Sequence, residues 1–197
     1  QIPVMEHFYT LQGEGYYSGQ AAYFIRLAGC DVGCVWCDVK ESWPVTPEQY
    51  LEIETLTGYI KETPAKLVVI TGGEPLMYDL GPLTGALKKA GYQVNIETSG
   101  AYPLSGTIDW ICVSPKKFKS PLPDVVSKAQ ELKVIVYNRS DFEFAEANRA
   151  LTSPGCKLYL QPEWSKSEQY LPVILEYTLS HPAWNLSLQT HKYLGIP

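Results

Sequence analysis

The sequence predicts an α/β protein whose parallel sheet closes only part of the way: an open, shortened, TIM-like βα barrel of about six strands. Three observations carry this expectation. Strand-like and helix-like segments alternate along the 197 residues, the pattern of right-handed βαβ units. Segments such as KLVVI (66–70) are continuously apolar, as strands covered on both faces are. A complete eight-unit barrel takes about 250 residues, more than this chain supplies. A flavodoxin-like open sheet is the alternative. No internal repeat, low-complexity tract or linker interrupts the chain, so a single domain over 1–197 is expected.

The elements follow in order. AAYFIRLAG (21–29) reads as a strand ending at a cysteine-rich loop. VTPEQYLEIETLTGYIKE (45–62) reads as a helix, with a capping box from Thr46 to Gln49, Pro47 in its first position, and Ile53, Leu56 and Ile60 on one face. KLVVI is the next strand and runs into TGGEP (71–75). DLGPLTGALKKAG (79–91) is a helix with Leu80, Leu83 and Leu87 as its apolar face and Gly91 as its stop. YQVNIET (92–98), DWICVSPK (109–116), ELKVIVY (131–137) and KLYLQPEW (157–164) read as strands. Helices are expected near DVVSKAQ (124–130), over SDFEFAEANRAL (140–151) with a capping box from Ser140 to Glu143, and over YLPVILEYTLSH (170–181), where Pro172 belongs in the first turn. SPKKFKSPLPD (114–124) reads as a surface excursion, and WNLSLQTHKYLGIP (184–197) as a closing extended piece.

Composition narrows the function. A net charge of −5 argues against a broad nucleic-acid surface and for a small-molecule or protein partner. No apolar run approaches the ~20 residues of a membrane helix. The opening QIPVMEHFYTLQGEGYY has neither the charged nor the apolar region of a secretion signal. Five cysteines, three of them clustered, argue against a disulfide framework and for a reducing cytoplasm.

Polar residues recur where the strands end: Arg26 and the cysteines, then TGGEP, ETSG, SPK and QPEW. In parallel α/β folds that edge is where sites are built. The cysteine loop reads GCDVGCVWCD, with Cys30, Cys34 and Cys37 in a CxxxCxxC spacing. A structural zinc site takes a fourth ligand, and neither Cys112, Cys156 nor the three histidines supplies one at matching spacing. A ferredoxin-like carrier takes four thiolates per cluster. Three thiolates suit a [4Fe–4S] cube with one iron left open, the arrangement of a working metal rather than a structural one. Trp36 places an aromatic face beside that iron. In TGGEP, two glycines permit close approach of a ligand to the backbone, and Glu74 can receive an ammonium group.

CxxxCxxC with an aromatic before its last cysteine, followed by GGEP after the next strand, resembles the radical S-adenosylmethionine (SAM) superfamily. That resemblance implies a radical SAM core in which SAM's amino and carboxylate groups chelate the open iron, and one electron cleaves SAM to a 5′-deoxyadenosyl radical. FYTLQGEG, FIRLAGCDVGCVWCD, VITGGEP, ETSG, SPK, LQP and LQTHKYLGIP, in this order and spanning almost the entire chain, further resemble the 7-carboxy-7-deazaguanine synthase family. The resemblance implies a carbon–nitrogen lyase that converts 6-carboxy-5,6,7,8-tetrahydropterin to 7-carboxy-7-deazaguanine with loss of ammonia, an early step toward queuosine and related 7-deazapurines. It also implies a cytoplasmic homodimer served by an electron donor such as flavodoxin, with no nucleic-acid or membrane partner. A glycyl-radical-enzyme activase is the rival enzyme, and an iron–sulfur electron carrier the rival without catalysis.

By the same resemblance Cys30, Cys34 and Cys37 hold the cluster. Trp36, Cys37, Asp38 and Gly73 contact SAM, while Ser99, Ser114, Pro115, Lys116, Gln161, Pro162, Glu163 and Trp164 border its pocket. Lys116 is a partner for SAM's carboxylate. Leu11, Gln12, Gly13, Glu14, Arg26, Thr71, His191 and Pro197 take the substrate. Arg26 suits its carboxylate because a guanidinium binds one bidentately. The α-carboxylate of Pro197 is expected at the pocket mouth. One position departs from the family pattern. Where a threonine hydroxyl binds Mg²⁺ near the substrate, this chain has Val39, so the ion relies on Asp38 or on substrate and water oxygens.

Overall fold

The computed structural model describes residues 1–197 and is organised by one nine-stranded sheet. In chain order the elements are β1 (Ile2–Leu11), β2 (Ala21–Leu27), β3 (Tyr50–Leu51), α1 (Ile53–Lys61), β4 (Leu67–Gly72), α2 (Gly81–Lys89), β5 (Gln93–Thr98), β6 (Trp110–Val113), α3 (Pro123–Ser127), β7 (Glu131–Val136), α4 (Ser140–Arg149), β8 (Lys157–Pro162), α5 (Ser167–Ser180), β9 (Trp184–Leu186) and α6 (Thr190–Leu194). The spatial order is β3-β1-β2-β4-β5-β6-β7-β8-β9. β2 and β4 to β9 run parallel, while β1 and β3 extend one edge antiparallel. β3 and β9 end the order without pairing to each other, so the sheet is a partial barrel, open along one side.

Alternation along the strands gives the sheet two unlike faces. One carries Ile25 and Leu27, Val68 and Ile70, Val94 and Ile96, and Leu132, Val134 and Val136, all in the main core. Leu56 and Ile60 of α1, Leu83 and Leu87 of α2, Ala145 of α4 and Ile174 of α5 close over it. Each buried leucine or isoleucine there contributes about 1.5–3 kcal/mol. On the opposite face only Ala22, Phe24, Leu67 and Val69 form an apolar cluster, backed by Phe8 and Tyr17. β4 is thus covered on both sides, as its apolar run implies. The end of β4 and the other strands turn Thr71, Arg26, Asn95, Glu97, Glu131, Lys133 and Gln161 to this face.

Several local expectations are corrected. Residues 45–62 are not one helix: Pro47–Gln49 is a short 3-10 turn, Tyr50–Leu51 pairs with β1, and α1 begins at Ile53. Gln49 does accept the Thr46 N–H at 2.8 Å, but it caps the 3-10 turn, because strand pairing claims the next two residues. The Ser140–Glu143 capping box does not form. Asn138 Oδ1 accepts from Ser140 N, and Asp141 Oδ2 from the Tyr137 and Asn138 N–H groups, which starts the helix on different acceptors. α5 begins at Ser167, so Pro172 lies beyond its first turn. The closing segment is extended only over β9, and residues 190–194 coil into α6. No helix is long and apolar enough to cross a membrane.

Candidate active site

Parallel strands bring their carboxyl ends to one edge, and the polar residues expected there line one cavity of about 390 Å³. Cys30, Cys34, Trp36, Cys37, Asp38 and Val39 form the wall beyond β2. Cys34 is buried, Cys30 and Cys37 are half-buried, and all three thiols are free. Their loop is fixed through its backbone: Gly29 N donates to Ser42 O at 2.7 Å, and Cys37 N to Cys34 O at 3.1 Å.

TGGEP packs directly on this loop. Gly73 N donates to Leu27 O and Glu74 N to Gly29 O, both at 2.9 Å. A Cβ on Gly73 would lie 2.1 Å from Gly29 O, and one on Gly72, at φ +128°, 2.3 Å from Leu27 N and O. The two glycines therefore admit the protein's own backbone, the close approach that couples β4 to the cysteine loop. Glu74 lines the cavity and braces the turns around it. Its carboxylate is buried and already accepts from Leu76 N (3.0 Å), Thr98 Oγ1 (2.5 Å), Ser99 N (2.8 Å) and Ser99 Oγ (2.5 Å). It holds the TGGEP and ETSG turns together.

Gly73, Ser99, Ser114, Lys116, Gln161, Pro162, Glu163 and Trp164 continue the cavity wall from β4 round to β8. Pro115 is buried and is the one residue assigned to the cluster, SAM or the substrate that does not line it. Lys116 Nζ donates to Ser114 O (2.7 Å) and Oγ (2.6 Å) and stands 5.7 Å from the Trp36 ring centroid. Burial pushes its pKa down. Glu163 accepts from Ser165 N and Oγ, fixing the turn after β8.

Leu11, Gln12, Gly13, Glu14, Arg26, Thr71, His191 and Pro197 line the same cavity. Arg26 Nε donates to Glu6 at 2.6 Å, which leaves its terminal nitrogens as the free fork. His191 packs on Gly13, where a Cβ would lie 2.2 Å from Nδ1. Burial lowers the His191 pKa and favours the neutral ring. Glu14 pairs with Lys133, and Gln189 Nε2 donates to its other oxygen at 2.9 Å. Burial alone raises the Glu14 carboxyl, but the Lys133 ammonium and the hydrogen bonds around it outweigh that and hold the pKa at about 2. Glu97 accepts from Gln12 Nε2 (2.9 Å) and Thr71 Oγ1 (3.3 Å). Lys192 Nζ donates to Asp38 at 2.6 Å and stands 5.2 Å from the Trp164 ring centroid.

Glu97, Lys133, Gln189 and Lys192 also line the cavity: Glu97 belongs to ETSG and Gln189 and Lys192 to LQTHKYLGIP without an assigned role, and Lys133 lies outside every motif. Their signal in the sequence is positional. Lys133 interrupts the otherwise apolar LKVIV, and Glu97 alternates with the buried Val94 and Ile96 on its strand.

The donor set fits an iron–sulfur cluster: three free thiols on one loop face the cavity and leave an open side toward it. The cavity has room and both charge types for SAM, with the Lys116 ammonium on the wall. The fit for Mg²⁺ is poorer. Val39 brings no oxygen, Asp38 is engaged by Lys192, and no three His, Cys, Asp or Glu side chains gather as a cage for one ion.

An open βα barrel with a three-thiol loop at its carboxyl edge and GGEP packed against it defines a radical SAM protein. The Radical SAM superfamily model matches residues 24–117. The chain is 54% identical over 201 residues to the 7-carboxy-7-deazaguanine synthase of Flavobacterium psychrophilum, covering 100% of this chain and 93% of that protein. It is 50% identical over 194 residues to the synthase of Synechocystis, covering 98% and 93%. The fold matches the crystal structure of QueE from Escherichia coli with a TM-score of 0.86 at 36% identity, over 96% of this chain and 94% of that one. The chain belongs to the 7-carboxy-7-deazaguanine synthase family.

Proposed function

We propose that this protein converts 6-carboxy-5,6,7,8-tetrahydropterin to 7-carboxy-7-deazaguanine with loss of ammonia, as a radical SAM lyase of 7-deazapurine biosynthesis. The observation that carries this reading is the joining of two sets of residues in one cavity. The thiol loop follows β2 and the Leu11–Glu14 loop follows the antiparallel β1, at opposite ends of that strand pair, and both face the same space.

Cys30, Cys34 and Cys37 hold the [4Fe–4S] cluster. The cluster and SAM supply the one-electron chemistry when bound. Trp36, Cys37, Asp38, Gly73 and Ser99 contact SAM, and Ser114–Lys116 with Gln161–Trp164 border it. The Lys116 ammonium, held between Ser114 and the Trp36 ring, faces SAM's carboxylate. On the substrate side, the free fork of Arg26 takes the pterin carboxylate. Backbone groups of Leu11 to Gly13 and the ionised Glu14 read the donor edge of the pterin, with Thr71, neutral His191 and Pro197 completing its surroundings. None of these side chains forms a conventional acid–base pair. They bind, orient and exclude water around chemistry that belongs to the cofactors.

The family resemblance supports a single domain over 1–197, a cytoplasmic homodimer and a flavodoxin-type donor. Mg²⁺ would draw on the Asp38 carboxylate beside Val39 and fill its shell from substrate and water. Anaerobic reconstitution with iron and sulfide, followed by incubation with SAM, reductant and the carboxytetrahydropterin, tests the reading. 7-Carboxy-7-deazaguanine and ammonia are expected. Intact pterin in a preparation that cleaves SAM would overturn the substrate assignment.

A further inference from the structure

Beneath the Leu11–Glu14 loop lies one buried cation, Lys133. Its side chain leaves β7 only 4% exposed, pairs with Glu14 and lies 3.7 Å from Glu97 Oε1. The carboxylates it joins come from a loop near the start of the chain and from β5, and both line the cavity. Each is held by further donors: Glu14 by Gln189, Glu97 by Gln12 and Thr71. Gln12 Oε1 in turn accepts the Glu14 N–H at 3.1 Å. One ammonium thus ties the loop to the floor of the sheet.

We propose that Lys133 is a positioning residue that keeps Glu14 and Glu97 as two ionised acceptors, at fixed separation, for the amino and N–H donors along one edge of the bicyclic substrate. The inference rests on the substrate proposed above. Its physics is that of two carboxylates in one partly dry site. Without a cation between them one takes up a proton. A protonated carboxyl presents an O–H where the ligand presents an N–H, so the pocket wall loses the polarity that matches its ligand. The charges around Glu14 reinforce this. Glu97 and Glu131 from the sheet and Asp38 on the thiol loop are the carboxylates around it, burial keeps the Cys112 thiol and the His191 ring neutral, and Lys192 is engaged by Asp38, so Lys133 is the cation that pairs with Glu14.

The test is the dissociation constant of the carboxytetrahydropterin, measured by anaerobic calorimetry on reconstituted wild type, Lys133→Met and Lys133→Arg, between about pH 5.5 and 8.5. Lys133→Met should weaken binding about 30-fold or more at neutral pH, with a loss that grows as pH falls, and Lys133→Arg should recover most of it. Where Lys133→Met does not fold, Lys133→Met with Glu97→Gln removes one charge of each sign. It should bind at least about tenfold more weakly than Glu97→Gln alone. Binding by Lys133→Met within about threefold of wild type across the pH range overturns the inference, as does the double variant binding like Glu97→Gln. So does a pH-independent loss equal in the Met and Arg variants, which is the mark of disturbed packing. A wild type that cleaves SAM but does not bind the pterin overturns the proposed function instead, and this inference with it.

Discussion

At one end of the cavity three thiols stand on a loop whose cysteine stretch is held mainly by main-chain bonds; at the other, the Leu11–Glu14 loop is wired by a connected side-chain network in addition to its main-chain bonds. Gly29 and Cys37 are held by main-chain bonds, and Gly72 and Gly73 let β4 come close enough for Gly73 N and Glu74 N to donate to Leu27 O and Gly29 O. Glu14, Gln12, Glu97, Thr71, Gln189 and Lys133 instead form one connected network. The contrast follows from what each end receives. A cluster brings its own geometry and strong bonds, so the protein need only present thiolates at the right spacing. A flat ligand bound by hydrogen bonds needs acceptors already charged and aimed before it arrives.

The largest effect should come from breaking the thiol end. Cys34→Ala removes one cluster corner, and iron and sulfide content together with SAM cleavage should fall to background while circular dichroism shows a retained fold. A variant that keeps both cluster and cleavage would separate the loop from the cofactor. Next is the carboxylate that braces this end. Glu74→Ala leaves four buried donors without an acceptor and should lower stability by about 4 kcal/mol, seen as a drop in the urea midpoint at constant slope.

The wired end is expected to answer to pH. Glu14 ordinarily titrates at 4.5 and is held at about 2 in the fold, so the unfolded chain binds its proton more tightly. Its contribution, on the order of 3 kcal/mol, is complete above the ordinary value and is lost as pH falls toward 2. Denaturant titrations over that window should show the decline in wild type and a flatter profile in Glu14→Gln; equal slopes would mean that other carboxylates carry the acid sensitivity. The smallest effect lies between the two ends. Val39→Thr adds an oxygen beside Asp38 and should raise Mg²⁺ stimulation of product formation by about two- to fivefold. Full stimulation of the native protein, with no gain in the variant, would show that residue 39 does not govern the metal.

The same contrast explains what could be read in advance. The parallel sheet, its helices and the thiol loop are legible because each rests on local signals: apolar runs, helical periodicity, stops and a cysteine spacing. Every residue assigned to the cluster, SAM or the substrate except Pro115 lines the cavity. Segment 45–62 misled because Tyr50 and Leu51 follow a distant partner, β1, rather than their own helical periodicity. The glycines of TGGEP were legible as sites of close approach, but not what approaches them. The bracing role of Glu74 was not legible because sequence does not reveal that Thr98 and Ser99 donate to it. Lys133 and Glu97 meet only through the strand order β5-β6-β7, which no local pattern encodes, although a lysine inside LKVIV is itself a sign of a buried partner.

The most direct measurement of the account is product formation by the reconstituted protein. With SAM, dithionite and 6-carboxy-5,6,7,8-tetrahydropterin under anaerobic conditions, mass spectrometry should find 7-carboxy-7-deazaguanine, with one ammonia released for each product formed. SAM cleavage that leaves the pterin unchanged, or transfer of the radical to a partner protein's glycine instead, would contradict it.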